Sequence, residues 1–555
     1  MNRAEVEALL KEVSPDVDEN KNDRIASALN KLINAIETLT EQNVQSQEEI
    51  QKLKDEINRL KGEDGKPNIR PQTKDSTNHS SEKERKKREP KKKRKPKRKK
   101  KETVKVNRQV TCEIDKNSLP DDAQFKGYET RIFQDLKIEL DNVEFKLPVY
   151  YSPSLKKTFI GKLPEGYYGE FGPGIRTLVI ASYRDFGMTE PAIERFLKTF
   201  NIQISRSTIS RMLTEDHEIF HEEKEDIIIA GLKASSCQHI DDTGCRVNGK
   251  NHYAHILCND YFTSYFTRQR KDRLTLLDIL CRGNLKFDLN EESFSLMSQL
   301  GLPLKCLNEL KAMGREGRLT QAEMEDVLLH LFPHLQKKKK NRQTVLESAA
   351  FVYYCQSEWF IEYLMCDDAP QFNKLSRFKA LCWIHEGRHY KKLDPVFPSY
   401  RKLLDDFLEK FWDFYAELQS YKLAPSKEKE ERLDKEFDEL FSTKSNYAAL
   451  DARKTKTLAK KDSLLLVLKF PFLPLHNNSA ELGARTQARI RDINLQTVSP
   501  NGTKTKDTFA TIVQTSKKLG VNVYSYLYDR ISRKFEMPSL AHLIFEQSNL
   551  PPNTL

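Results

Sequence analysis

The chain of 555 residues lacks the usual sequence marks of zinc-stapled, disulfide-linked and membrane-spanning proteins. Its nine cysteines include no C-x-x-C pair, which argues against a zinc ribbon or a disulfide framework. No apolar run approaches the roughly 20 residues that span a bilayer, and the acidic, polar N-terminus is unlike a signal peptide. We therefore expect a cytoplasmic protein with no membrane partner.

The chain also lacks net positive charge outside one short block. The net charge is +12, and residues 85–101 hold fourteen Lys or Arg and one Glu, so this block carries +13 and all other residues together −1. Like charges at this density repel and prolines interrupt the block, so residues 63–107 are predicted to be a disordered linker. Sequence-independent contact with phosphates is the favoured role, and a solvated tail is the alternative. The central basic residues are Lys91, Lys92, Lys93 and Arg94.

A heptad pattern precedes the linker, within a region bounded at residues 1–62. The a positions are Leu29, Ile36, Asn43, Ile50 and Ile57, and the d positions include Leu32, Leu39, Leu53 and Leu60. Ile at a with Leu at d favours a parallel dimer, and Asn43 would fix its register. We therefore predict a homodimer or higher assembly through this coiled coil. The alternative, a helix packed on its own protein, is disfavoured by a 3.5-residue period held over five heptads.

After a small strand-containing region without a zinc ribbon, residues 108–165, the pattern turns helical over residues 166–231. Within it, residues 188–213 read as helix, turn and helix, with Thr189 and either Ser205 or Ser207 as caps. Such a unit could place its second helix in a DNA groove, and a plain packing unit is the alternative. The groove-facing candidates are Arg206, Ser207, Thr208 and Arg211.

Three acidic residues stand in distinctive contexts farther along. Asp241 ends a strand-like run, residues 234–242, and an Asn-Gly hairpin signal follows it. Asp367 ends a second run, and Glu481 opens a helix. Further strands are predicted at residues 252–258, 263–267, 360–366 and 380–385, with a helix at about 274–280.

Together these landmarks resemble the insertion sequence sixty-six family of bacterial DDE transposases, over roughly residues 166–530. The motifs that carry the resemblance are Asp241-Asp242-Thr243 before the hairpin, Asp367 before Phe372, Cys382-Trp383-x-His385-x-x-Arg388, and Asn477-Asn478-x-Ala480-Glu481 with Arg485. The resemblance implies an α/β fold with a ribonuclease-H-like mixed-sheet catalytic core over residues 232–495. Helical insertions would lie at about residues 284–343 and 398–465, and a C-terminal helical region would cover residues 496–555.

The resemblance also implies the chemistry. Asp241, Asp367 and Glu481 would be the catalytic and metal-binding residues, and their hard oxygen ligands suit two Mg²⁺ or Mn²⁺ ions. The expected reaction is cleavage at transposon ends and joining of the 3′-hydroxyl to target DNA, which would place the protein at the nucleoid. Accessory proteins encoded by the same element could take part. Candidates for phosphate contact near the site are Arg388, Arg485 and Arg489.

Several assignments stay open at this level. Asp242 and Asp368 could be supporting acids, and a local capping box with Asn478 would explain Glu481 without catalysis. His385 could be a satisfied core histidine. The chain could also be a non-catalytic dimeric DNA-binding regulator, or a metal-dependent nuclease of the same fold. An aromatic stripe at Phe407, Phe411, Phe414 and Leu418 is interpreted as core packing.

Overall fold

A computed structural model of the chain describes residues 23–60, 106–112, 124–136, 138–315, 317–333 and 339–549. It divides into two compact units, one of residues 1–81 with 164–555 and the other of residues 82–163. Lys91, Lys92, Lys93 and Arg94 of the basic linker lie outside the described residues. Within the described ranges, no helix has both the length and the apolar character needed to cross a bilayer.

The heptad region forms one long helix, α1, over Asp23–Leu60. Its predicted seam faces solvent, since the side chains of Leu32 and Leu39 are 60% and 64% exposed. Ile33, beside the seam, is instead buried in the core of its own unit. The predicted helix is confirmed, and its pairing with a second copy stays a prediction.

The unit of residues 82–163 contains, in its described part, one antiparallel hairpin. Its strands are β1, Val149–Ser152, and β2, Lys157–Ile160. The described residues from 106 to 148 have no regular secondary structure. The described part of the predicted strand-containing region therefore has strand structure in this hairpin and in no other segment.

Four helices lie between the hairpin and the central sheet in the chain: α2 (Pro173–Arg184), α3 (Glu190–Thr199), α4 (Arg206–Thr214) and α5 (Glu218–Ala234). The predicted helix, turn and helix correspond to α3 and α4. The Thr189 hydroxyl accepts from the Ala192 N–H at 3.4 Å, and the Ser205 hydroxyl accepts from the Thr208 N–H at 3.2 Å. Both hydroxyls thus cap helices, as N-cap residues commonly do.

The first half of the central sheet is an antiparallel meander. Its elements are β3 (Cys237–Val247), β4 (Lys250–Cys258), β5 (Thr263–Arg268) and then helix α6 (Arg273–Leu280). Asn248 and Gly249 form the two-residue turn between β3 and β4, and both have positive φ, 46° and 73°. Asn-Gly tolerates this conformation at low cost, which is why it predicts such hairpins.

An insertion follows α6. It comprises β6 (Phe287–Leu289), α7 (Glu291–Gln299), α8 (Leu304–Ala312), β7 (Gly317–Leu319), α9 (Gln321–Leu331) and the start of α10 (Lys339–Cys355). The insertion predicted at residues 284–343 is mostly helical, but β6 and β7 also pair as a small antiparallel sheet. Strands of three residues are too short to show an alternating pattern in the sequence.

The second half of the central sheet is parallel. Its elements are β8 (Ile361–Cys366), a 3₁₀ turn (Pro370–Phe372), β9 (Ser376–Leu381) and helix α11 (Trp383–Lys391). The strand order is β5-β4-β3-β8-β9, with β8 parallel to β3 and β9 parallel to β8. The strand predicted at residues 380–385 is wrong beyond Leu381, because α11 begins at Trp383. Short apolar runs fit a strand end or a buried helix start equally well.

A helical insertion separates α11 from the last acidic residue. It contains α12 (Pro398–Leu423), α13 (Lys427–Ser442), α14 (Ala448–Leu458), α15 (Lys461–Leu464) and α16 (Leu466–Lys469). The stripe at Phe407, Phe411, Phe414 and Leu418 is buried on α12. The helical prediction for residues 398–465 and the packing interpretation of the stripe are both confirmed.

The described chain ends in α17 (Asn478–Asn494), α18 (Pro500–Lys518), α19 (Val523–Ile531) and α20 (Leu540–Ser548). Helix α18 covers the outer edge of β5, whose backbone N–H groups donate to side chains on the helix. The pairs are Thr263 to Thr515 at 3.2 Å, Tyr265 to Thr511 at 3.2 Å and Thr267 to Asp507 at 2.5 Å. Two residues of strand and four of helix both advance about 6 to 7 Å, so the two ladders match. An edge that could pair with another chain is thereby covered.

Candidate active site

Asp241, in the middle of β3, and Asp367, the residue after β8, lie side by side just beyond the stretch over which these two parallel strands pair. The register pairs His239 of β3 with Met365 of β8. Two residues farther along each strand are Asp241 and Asp367, and a step of two residues keeps side chains on one face of a sheet. The topology therefore brings together two acids that are separated by more than a hundred residues of sequence.

Glu481 joins them from the first turn of α17, which packs on β3 and β4. The helix comes close to the sheet because position 483 is glycine. A Cβ atom at Gly483 would stand 2.9 Å from Cγ2 of Ile256, the residue paired with Asp241 in the β3–β4 ladder. Glu481 is thus held beside the strand that carries Asp241.

Asn477, just before α17, clamps that helix to the sheet. Its buried amide donates from Nδ2 to the Ile240 carbonyl at 2.8 Å, and its Oδ1 lies 3.0 Å from Nδ1 of His239. Its backbone N–H donates to Sγ of Cys382 at 3.2 Å. One residue therefore connects β3, the start of α11 and the start of α17, which are the elements around the acids.

Burial and mutual repulsion dominate the electrostatics of the two aspartates. Burial, together with the charges of Asp367, Asp242 and Glu481, raises the pKa of Asp241 to about 7, against a lowering hydrogen bond from the Asp242 N–H. Burial likewise raises the pKa of Asp367, although the Ala369 N–H donates to its Oδ1 at 3.0 Å. Clustered, desolvated carboxylates of this kind favour a bound cation, which would offset their charge.

Glu481 is held by two side chains of α11. Nη2 of Arg388 donates to its Oε2 at 2.8 Å, and Nδ1 of His385 lies 3.4 Å from its Oε1. That second pair is close but poorly aligned, so Oε1 and Nδ1 are both buried without a hydrogen-bond partner. Burial lowers the pKa of His385, against the raising effect of the Glu481 carboxylate. The N-cap residue of this helix is Asn477, so Asn478 already lies inside the helix, and the Glu481 carboxylate binds Arg388 in the site.

The donor set fits a hard divalent cation. It offers carboxylate oxygens, the ligands such ions prefer, and one buried carboxylate oxygen of Glu481 lacks a hydrogen-bond partner. The ligand atoms of Cys382, His385 and Glu481 lie within 4.8 Å of one another. Among the described residues, the ligand atoms of Asp241, Asp367 and Glu481 do not form so compact a group. Arg388 and His385 both approach the Glu481 carboxylate.

Asp242 and Asp368 make different contacts from their neighbours. Oδ2 of Asp242 accepts from Nε2 of Gln371 at 2.9 Å, and its Oδ1 lies 3.9 Å from Nζ of Lys271. Asp368 contacts His389 and Lys460, and these two groups hold its pKa well below the usual range. Both acids are therefore engaged by partners outside the set of Asp241, Asp367 and Glu481.

The predicted DNA-contacting residues fall into two groups. Arg206, Ser207 and Arg211 are exposed on α4, while Thr208 is half-buried and its hydroxyl, like that of Ser207, bonds to Ser205. Arg485 and Arg489 are exposed on α17, four and eight residues after Glu481 and so on the same side of the helix. Arg388 lies in the site itself, where it binds Glu481.

Sequence reasoning missed a buried ionic network behind the acids. The Glu386 carboxylate, on α11, binds Arg453 and Lys460, and the Thr457 hydroxyl donates to it at 2.5 Å. Lys460 also binds Asp368, the neighbour of Asp367. No motif marks Lys460 in the helical insertion. Glu386 does lie inside the segment from Cys382 to Arg388 that carries the resemblance, four residues after a buried cysteine, and a buried acid requires a partner, so its place there is a usable signal.

Comparison with known proteins shows which class of protein the chain resembles. Residues 321–505, a third of the chain, match the model of a family of transposases. The family is described as Transposase IS66 family, which confirms the resemblance to the insertion sequence sixty-six family and implies a DNA substrate. The matched span contains Asp367, Arg388 and Glu481 and begins after Asp241.

One curated relative extends the similarity. The uncharacterized protein y4jO of Sinorhizobium fredii (strain NBRC 101917 / NGR234) is 27% identical over 304 residues. That alignment covers 54% of this chain and 94% of the relative. The similarity therefore runs over nearly all of a shorter protein and about half of this one.

Proposed function

We propose that the protein is a DDE transposase that cuts transposon ends and joins the exposed 3′-hydroxyl to target DNA. The observation that carries the proposal is that the register of β3 and β8 sets Asp241 beside Asp367, while α17, which packs on β3, carries Glu481. Asp367 and Glu481 lie within the residues that match the transposase family. Burial and repulsion between the aspartates, without an added cation, would make full ionisation costly.

We also propose that the central sheet is a ribonuclease-H-like core. Three antiparallel strands, followed by two strands parallel to the first, in the order β5-β4-β3-β8-β9, support it. So does the placement of one acid on the first strand, one after the fourth and one on a following helix. The first insertion lies between β5 and β8 in the chain, and the second lies between β9 and α17.

Asp241, Asp367 and Glu481 would hold Mg²⁺ or Mn²⁺. When bound, two such ions would activate the attacking oxygen and stabilise the leaving oxygen of an in-line displacement at phosphorus. Arg388 and His385 orient the Glu481 carboxylate, and the Asn477 clamp fixes the helix that carries it. Arg485 and Arg489 extend along α17 from Glu481, where they would bind phosphates of the DNA end.

Other elements would supply DNA binding and assembly. Helix α4 would enter a major groove through Arg206 and Arg211, and the basic linker would add sequence-independent phosphate contacts. The exposed seam of α1, with Leu32, Ile36 and Leu39, would pair with the same seam of a second copy. The protein would act on chromosomal DNA at the nucleoid. Accessory proteins encoded by the same element would be further partners.

The test is a strand-transfer assay with the full-length protein, Mg²⁺ and DNA that carries the element's own ends. We expect nicking at the ends and covalent joining of those ends to a second duplex. Binding of end DNA without metal-dependent nicking would identify a regulator instead. Nicking without joining would identify a nuclease.

A further inference from the structure

Helix α1 has a second face that the heptad pattern does not use. Ile33, Asn34 and Glu37 lie outside the a and d positions of the predicted coiled coil, and Ile33 is buried while the seam residues Leu32 and Leu39 are exposed. This outer face contacts the helical insertion of the same unit. Residues 31–50 of α1 can therefore offer the seam to one partner while the outer face is engaged by another.

The outer face supplies helix caps. Oε1 of Glu37 accepts from the backbone N–H groups of Val396 at 2.6 Å and Phe397 at 3.1 Å, at the start of α12. Phe397 is the N-cap residue of α12 and cannot cap it with an apolar side chain. A carboxylate at a helix N-terminus satisfies free N–H groups and complements the helix dipole.

Asn34 does the same for α14. Its Oδ1 accepts from the Ala448 N–H at 2.9 Å, and its Nδ2 donates to the Asn446 carbonyl at 3.2 Å and the Tyr400 hydroxyl at 3.1 Å. Tyr447, the N-cap residue of α14, forms no side-chain cap. Two polar residues one helical turn apart on α1 thus complete the starts of two helices of the insertion, which is a specific contact and not a general apolar one.

The far end of α14 reaches the candidate active site. Arg453 and Thr457 on this helix bind Glu386, and Lys460 just after it bridges Glu386 and Asp368. Asp368 directly follows Asp367. Polar contacts therefore join α1 to the start of α14, and others join the end of α14 to the loop that carries a candidate catalytic aspartate.

We propose that docking of the outer face of α1 on α12 and α14 helps to position Asp367, and so couples the helix that carries the proposed dimer seam to the candidate active site. The coupling rests on the proposed function, because it takes the seam to be the dimer contact and Asp367 to be catalytic. Asn34, Glu37 and Lys460 are positioning residues in this scheme, since they act through other side chains. The partner of the outer face is the insertion of the same chain, and the partner of the seam is a second copy.

The test is hydrogen exchange on the full-length protein, comparing the wild type with an Asn34→Ala and Glu37→Ala double variant. The amides of Val396, Phe397 and Ala448 should exchange at least about tenfold faster in the variant, as expected when a hydrogen bond to a helix start is lost. The Ala369 amide, which donates to Asp367, should exchange about threefold faster or more, within the range of coupling between distant sites. Sedimentation should still show the dimer, while strand joining falls.

Glu48→Ala is the matched control, because Glu48 is exposed on the same helix at the heptad position of Asn34. It should change neither exchange nor joining. Unchanged exchange at Val396, Phe397 and Ala448 in the double variant would refute the docking. Faster exchange there with Ala369 and joining unchanged would refute the coupling. Absence of metal-dependent cleavage in the wild type would instead contradict the proposed function, and the exchange results would stand apart from it.

Discussion

The Asn477 clamp makes a quantitative prediction, because its two side-chain contacts lie in a fully buried place. Asn477→Ala removes the donor to the Ile240 carbonyl and the partner of His239 Nδ1. Each buried polar group left unsatisfied costs about 1 to 3 kcal/mol, so the variant should lose about 2 to 6 kcal/mol of unfolding free energy. Domains of ordinary stability have about 5 to 15 kcal/mol, so the loss is a large fraction of the total and the variant should unfold at clearly lower urea.

Urea denaturation followed by tryptophan fluorescence measures this loss, with Asn251→Ala as the control because Asn251 is exposed on β4. Activity separates clamping from simple packing. Cleavage should fall more than the folded fraction does, since α17 and Glu481 lose their tie to β3. A loss of stability no larger than that of Asn251→Ala, with normal cleavage, would refute the role given to Asn477.

Three further predictions concern stability and DNA binding. Burial lowers the pKa of His217 from its ordinary 6.5 to about 4, so its contribution to stability is complete above pH 6.5 and is lost as pH falls toward 4, by about 2 kcal/mol at pH 5. Other groups titrate in the same range, so the test is the difference between wild type and His217→Gln: on going from pH 7 to pH 5 the wild type should lose about 2 kcal/mol more than the variant in urea curves, and equal changes would contradict the prediction. Thr511→Val leaves the Tyr265 N–H at the sheet edge without its acceptor and should lower the unfolding free energy by about 1 to 3 kcal/mol. Thr511→Ser keeps the hydroxyl and should lower it by about 1 kcal/mol or less, so equal urea midpoints for the two variants would contradict the edge-capping role. Deleting residues 85–101 should weaken binding to all DNA duplexes and flatten the dependence of log K on log salt, whereas Arg206→Ala with Arg211→Ala should weaken binding to end DNA selectively. Binding titrations over a salt series distinguish the two effects, and an unchanged slope in the deletion variant would show that the basic block does not contact DNA.

Features that depend on a few adjacent residues were predictable from the sequence. The Asn248-Gly249 turn, the Ser205 cap and the buried stripe on α12 each follow from local conformational preference or helical spacing. The start of α11 was not predictable, since the apolar residues from Leu381 to Ile384 are buried whichever element they form. Periodicity has no information where every residue of a short run is buried.

The candidate site likewise has some features that the sequence predicts and others that it does not. The contexts of Asp241, Asp367 and Glu481 pointed to three acids, and the parallel register of β3 and β8 then brings the first two side by side. The partners of Glu481 were beyond sequence reasoning, because an acid at a helix start suits a local cap as well as an ion pair from another element. In the structure Arg388 and His385 approach from α11, and Lys460 binds Asp368 from the insertion. Such contacts depend on packing between distant segments, which no local pattern records.

The most direct measurement is Mg²⁺-dependent cleavage and joining of end-containing DNA by Asp241→Asn, Asp367→Asn and Glu481→Gln. Each change keeps the side-chain shape and removes a charge, so each should reduce the rate by more than the roughly 100-fold typical of groups that only support metal ligands. Dimerisation and DNA binding should remain. Asp260→Asn, the same change at an exposed position, should be fully active, and Asp242→Asn should be milder than Asp241→Asn. Strand joining at wild-type rate by Glu481→Gln, or by either aspartate variant, would contradict the account.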